Sequence, residues 1–121
     1  MSEAGIWIAW GLPTQGRELQ ALAALRNARG YLTTLVDDGR IDAFDITILR
    51  PQTTELGGFV HIKGSREQID SLRRAEDFER WATGIQLVAG RVAFVDSWVD
   101  RGIDHAIELY ENALRDAGLT S

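Results

Sequence analysis

Short stretches of alternating or continuous apolar residues, separated by longer stretches with an apolar stripe at helical spacing, restrict this chain to few folds. Ile6-Trp7-Ile8-Ala9-Trp10 ends at Gly11 and Pro13 and reads as a first strand. Thr14 suits a helix N-cap, and residues 15–38 carry Leu22, Leu25, Leu32, Leu35 and Val36 on one stripe before Gly39 stops the helix. Gly30, inside that stretch, admits a bend. Residues 41–50 alternate as a strand, with Phe44, Ile46 and Ile48 on one side and Ala43, Asp45, Thr47 and Leu49 on the other. A turn over 51–55 leads to a third strand over 56–63, and Ser65 with Gln68 forms a capping box. The following helix carries Ile69, Leu72, Phe78 and Trp81 and is expected to break near Arg74 and Ala75. A fourth strand over 92–99 precedes an amphipathic helix over 101–116 with Ile103, Ala106, Ile107, Tyr110 and Leu114. That last stripe is apolar enough to require a partner surface, at the sheet edge or on a second subunit.

The order β-α-β-β-α-β with an added C-terminal helix predicts a ferredoxin-like α+β fold, an antiparallel sheet with helices on one face. At 121 residues the chain is read as a single domain over 1–121. With no cysteine it has no disulfide framework, thiol nucleophile or cysteine-ligated metal. A net charge of −5 argues against nonspecific nucleic-acid binding. No apolar run reaches the ~18 residues of a membrane span, and MSEAGIWIAWG has no basic leader, so the expectation is a cytoplasmic protein.

In this topology the strands lie in the order four, one, three, two. The alternation assigns Ile6, Ile8, Phe44, Ile46, Ile48, Val60, Ile62, Ala93 and Val95 to the helix-covered face. It leaves Trp7, Ala9, Asp45, Thr47, Leu49, Phe59, His61, Lys63, Phe94, Asp96 and Trp98 on the open face. So aromatic a surface marks an interface or a ligand groove, and a homodimer with a polar rim accounts for it.

The segments IAWGLPTQGRE, GFVHIKGSREQIDSLRRAEDFERW and VDSWVDRGIDHAIELY, in this order of elements, resemble the dimeric α+β barrel superfamily, and within it small bacterial proteins of unassigned function. The resemblance implies two sheets packed face to face across a two-fold axis. It also implies a cavity between sheet and helices or between the two sheets. The superfamily includes antibiotic-biosynthesis monooxygenases, muconolactone isomerases, chlorite dismutase-like haem proteins and YCII-like proteins. No catalytic motif of those enzymes matches this sequence residue by residue, and fold kinship does not transfer an activity.

A hairpin turn centred on Thr53 places Asp45 opposite His61, within reach of a carboxylate–imidazole contact. Asp45 would orient His61 as a general base and raise its pKa modestly, against Lys63 and Arg50. An interface ion pair or a solvated histidine explains the same residues. Trp7, Phe59, Phe94 and Trp98 could wall a flat apolar ligand or pack against a second subunit. His61 and His105 are the only histidines and lie on different elements, so no metal site is expected, and haem could be held only through one of them. Asp37-Asp38-Gly39 fails as an EF-hand because Thr34 and Val36 fall at ligand positions. Gly57-Gly58 opens a strand with no helix directly after it, and no serine with a paired base is identifiable. Three functions follow, one of them an effector-binding module that works with another chain. Another is a homodimer that binds a small apolar or aromatic ligand without a cofactor. The third is a cofactor-free enzyme of the monooxygenase or isomerase type with His61 as general base.

Overall fold

The computed structural model describes residues 2–52 and 55–119. Its elements are β1 (Ala4–Trp10), α1 (Glu18–Asp37), β2 (Ala43–Ile48), β3 (Gly58–Gly64), α2 (Arg66–Arg74), α3 (Glu76–Val88), β4 (Ala93–Trp98) and α4 (Gly102–Asp116). The strands form one antiparallel sheet in the order β2-β3-β1-β4, as the β-α-β-β-α-β reading requires. Thr53, the expected centre of the β2–β3 turn, lies outside the described residues. The register it implied is present, with Asp45 opposite His61.

Alternation places Ile6 and Ile8 of β1 and Val60 and Ile62 of β3 under the helices. There they meet Leu32 and Leu35 of α1, Ile69 and Leu72 of α2 and Phe78 of α3, all buried. Each such side chain contributes about 1.5–3 kcal/mol on burial, and this cluster is the core. The capping box at α2 is formed, with Gln68 N–H donating to Ser65 Oγ at 3.1 Å and Ser65 N–H to Gln68 Oε1 at 2.7 Å. Ala75 is extended (φ −75°, ψ 133°) and separates α2 from α3 where a break was expected. Helix α1 starts later than expected, at Glu18, because Thr14 does not cap it. Instead Thr14 N–H bonds the Val88 carbonyl at 2.8 Å, and Gly11 N–H bonds the Gly90 carbonyl at 2.8 Å, zipping the segment after β1 to the end of α3.

The face assigned to β4 is reversed. In the observed register Ile6 opposes Asp96, Ile8 opposes Phe94 and Ala4 opposes Trp98, and directly opposed residues share a face. Phe94, Asp96 and Trp98 therefore lie on the helix side, and Ala93, Val95 and Ser97 on the open side. Phe94 packs edge-on against Phe78, with ring centroids 6.5 Å apart. Asp96 is tolerated there because it sits on an edge strand and Arg73 of α2 reaches it, Nη2 to Oδ1 2.6 Å.

Helix α4 hangs from the start of β1. Val99 N–H bonds the Glu3 carbonyl at 3.2 Å and Arg101 N–H bonds the Ser2 carbonyl at 3.3 Å. Gly102 abuts the Glu3 backbone so closely that no Cβ fits. The helix packs on β4, yet Ile103 and Ile107 of its apolar stripe stay about half exposed and Tyr110 more so.

Candidate functional site

Two places in the fold concentrate chemistry, one on each face of the sheet. On the open face β2, β3, β1 and β4 bring Asp45, His61, Trp7 and Val95 into one row. Trp7 and Phe59 stack obliquely, centroids 5.8 Å apart, and form an aromatic ridge beside His61. The aromatic wall is thus only half as wide as the sequence suggested, since Phe94 and Trp98 are on the other side. Trp98 instead meets His105 of α4, ring centroids 6.5 Å apart. Both line a polar cleft of about 350 Å³ that Arg66 and Arg73 of α2 border.

His61 does not hydrogen-bond Asp45. Its Nε2 lies 2.9 Å from Ser97 Oγ, two strands away. Gly5 makes this possible. A Cβ at Gly5 would sit 2.8 Å from Ser97 Oγ and 3.0 Å from His61 Nε2, so the two side chains meet in the space a larger residue would occupy. Ser97 is a partner that sequence reasoning missed, because the contact depends on the register between the first strand and the last. The pKa of His61 also runs opposite to expectation. Burial pushes the imidazole below its ordinary value and Lys63 adds to this, while Asp45 and Asp100 pull the other way without cancelling it. The ring is therefore neutral at neutral pH, able to accept a proton or share a hydroxyl hydrogen bond. Lys63 Nζ is 3.8 Å from Asp100 Oδ1, a loose pair at the rim.

On the helix face a cavity of about 310 Å³ lies between β1, the first half of α1 and the second half of α3. Ile8 and Trp10 form its floor, Leu22 and Leu25 one wall, Trp81 and Ile85 the other. Ala21, Ala24 and Ala28 turn toward the sheet from α1 and are too small to fill the gap, which is the one signal of it in the sequence. Leu22 was expected in the core. It is 45% exposed because it borders this cavity. Glu18 is the one ionisable residue in the lining, and its carboxylate accepts a hydrogen bond from Gly16 N–H at 3.3 Å. Among the described residues no group of three or more His, Asp or Glu side chains is placed to hold a metal.

A third cluster is structural. Arg40 donates two hydrogen bonds of 2.8 Å to Asp77, and the Tyr31 hydroxyl donates a third at 2.7 Å, tying α1 to α3. The Arg40 guanidinium holds the Asp77 carboxyl well below the usual carboxylate range, and burial with the Asp77 hydrogen bond holds the Tyr31 phenol far above its own.

A four-stranded antiparallel sheet in this order, covered by helices on one face, defines the ferredoxin-like fold. Solved structures share it. A dimeric protein of unknown function from Bacteroides fragilis aligns over 80% of this chain and 96% of its own, with a TM-score of 0.63 and 7% identity. A dimeric ferredoxin-like protein of unknown function from Jannaschia sp. aligns over 80% and 99%, with a TM-score of 0.61 and 10% identity. One from Thermobifida fusca aligns over 80% and 92%, with a TM-score of 0.52 and 11% identity. These likenesses establish the fold. No family model matches the chain, and no curated protein matches its sequence. No helix among the described residues is long and apolar enough to cross a membrane.

Proposed function

We propose that residues 1–121 act as one cytoplasmic domain that forms a homodimer and binds a small apolar or aromatic ligand. The observation that carries this is the 310 Å³ cavity, lined by aliphatic side chains and two indoles with a single carboxylate. Such a lining favours a neutral guest and disfavours an anionic one, because no cation in the wall offsets Glu18. The homodimer is supported by the half-buried ridge of Trp7 and Phe59 with the exposed Val95 beside it, and by structural neighbours described as dimeric. The test is titration with N-phenyl-1-naphthylamine, a neutral fluorophore of suitable size. Saturable enhancement, abolished by Ala28→Trp inside the cavity, is the expected result. Non-saturable binding, or binding unchanged in the filled variant, would refute it.

A second reading is a cofactor-free enzyme of the monooxygenase or isomerase type with His61 as general base and Asp45 as its electrostatic support. Its support is the neutral, part-buried imidazole beside an aromatic ridge. The sheet separates this site from the cavity, so substitutions at His61 leave fluorophore binding intact under either reading.

A further inference from the structure

We propose that Ser97 is a nucleophile activated by His61, with Asp45 as the electrostatic support, and that the open sheet face transfers acyl groups from small activated esters of flat, apolar alcohols or phenols. The inference rests on His61 acting as a base, and adds what that base deprotonates.

Three strands each contribute one member. Asp45 stands on β2 directly opposite His61 on β3, and Ser97 comes from β4 beyond the central strand. Strands two apart in a sheet are separated by about 10 Å, too far for a serine and a histidine to meet over an ordinary side chain. Gly5 removes that side chain, and the 2.9 Å contact between Nε2 and Oγ fills the vacated space. In the tautomer of neutral His61 that carries its proton on Nδ1, Nε2 accepts the Ser97 hydroxyl proton, the arrangement in which serine becomes nucleophilic. The Asp45 carboxylate favours the charged imidazole electrostatically, so it stabilises the imidazolium formed when that proton moves.

Lys63 supplies the remaining charge. It opposes Gly5 from β3 as Ser97 opposes Gly5 from β4, so both flank the same notch. Its ammonium is held only loosely by Asp100, at 3.8 Å, and is the cation assigned to a developing oxyanion at Ser97. The Trp7–Phe59 ridge offers a flat apolar surface for the leaving group. In the proposed homodimer a second sheet faces this one, and the ester lies between the two.

In the first step Ser97 Oγ bonds to the ester carbonyl carbon and its proton passes to His61 Nε2. The carbonyl carbon–oxygen bond to the alcohol or phenol then breaks, and that oxygen takes the proton from the imidazolium. Water, giving its proton to His61, attacks the acyl-serine. The proton returns to Ser97 Oγ as a carboxylic acid departs.

The test is incubation of the full chain with an alkyl fluorophosphonate, which bonds to an activated serine oxygen and releases fluoride, followed by intact mass and peptide mapping. One adduct on Ser97 is expected, absent in Ser97→Ala and formed about 10²-fold more slowly in His61→Gln. Asp45→Asn should move the acid limb of the labelling–pH profile to lower pH, a change that lost folding does not produce. Melting curves of each variant verify the fold. Labelling of Ser97 no faster than of other serines overturns the proposal. Hydrolysis of p-nitrophenyl acetate that needs His61 but survives Ser97→Ala overturns the nucleophile and leaves His61 as a base. Hydrolysis and labelling indifferent to His61→Gln overturn both.

Discussion

Gly5→Ala tests whether the notch in β1 is what allows His61 and Ser97 to meet. The added Cβ would lie 2.6 Å from the Ile62 carbonyl oxygen, 2.8 Å from Ser97 Oγ and 3.0 Å from His61 Nε2. The first neighbour is backbone in the sheet and cannot swing aside, so β1 and β3 must separate locally, an overpacking cost of about 1–3 kcal/mol. Displacing Ser97 from His61 loses a neutral hydrogen bond, about 1 kcal/mol. Against these, alanine in a strand interior regains about 0.5–1 kcal/mol of chain entropy relative to glycine. The net is a destabilisation of about 1–3.5 kcal/mol. At about 4 °C per kcal/mol for a domain of this size, that lowers Tm by about 4–14 °C. Combining Gly5→Ala with Ser97→Ala removes one of the three close contacts and should restore about 1 kcal/mol by thermal or urea unfolding. An unchanged Tm in the single variant, or no coupling in the double one, would refute the reasoning.

Because burial holds the folded-state pKa of His61 below its ordinary 6.5, the unfolded chain binds that proton more readily. Stability should therefore fall as pH drops below about 6.5, and His61→Gln should flatten this dependence in urea titrations; identical slopes would exclude a buried neutral ring. Asp77 behaves oppositely, contributing fully above ordinary carboxylate pKa values and losing that contribution as pH falls below them. Asp77→Ala should cost about 1–2 kcal/mol at pH 7, after discounting for its partial exposure, and a neutral effect would show the Arg40 pair to be inert. Trp7→Glu should halve the mass seen by light scattering, whereas Trp98→Glu, on the helix side, should not; the reverse pattern would move the dimer contact to the other face. Removing the chain beyond Arg101 should cost only about 2 kcal/mol, the share of two half-buried isoleucines, and a much larger loss would place α4 on a partner.

The order of elements was legible because each strand and helix announces its own period, and so was the register of the β2–β3 hairpin. Strands β2 and β3 follow one another in the chain and pair directly, which is why Asp45 and His61 could be paired from the sequence. Strands β1 and β4 lie far apart in the chain. With apolar residues on both sides of β4, the alternation of Ala93, Phe94 and Val95 fits either phase, and the Arg73 contact that settles Asp96 on the helix side comes from a distant element. Ser97 was hidden for the same reason. The sign of the His61 shift depends on how deeply neighbouring strands enclose the ring, which residue identity does not encode. The cavity depends on how far α1 stands off the sheet, and three alanines on its inner face are only a weak hint of that distance.

The central position of β1 also governs how the chain acquires its structure. Strand β1 hydrogen-bonds on one side to β3 and on the other to β4, which among the described strands lies furthest from it along the chain. Its ladder closes only after long loops have been drawn in, which places folding on the slower side for a domain of this length. On the ribosome, Ile6 to Trp10 waits with an unpaired edge until Ala93–Trp98 has emerged. Chains cut short before that point keep an apolar strand open to pairing with other chains, so incomplete synthesis favours aggregation over a smaller folded product.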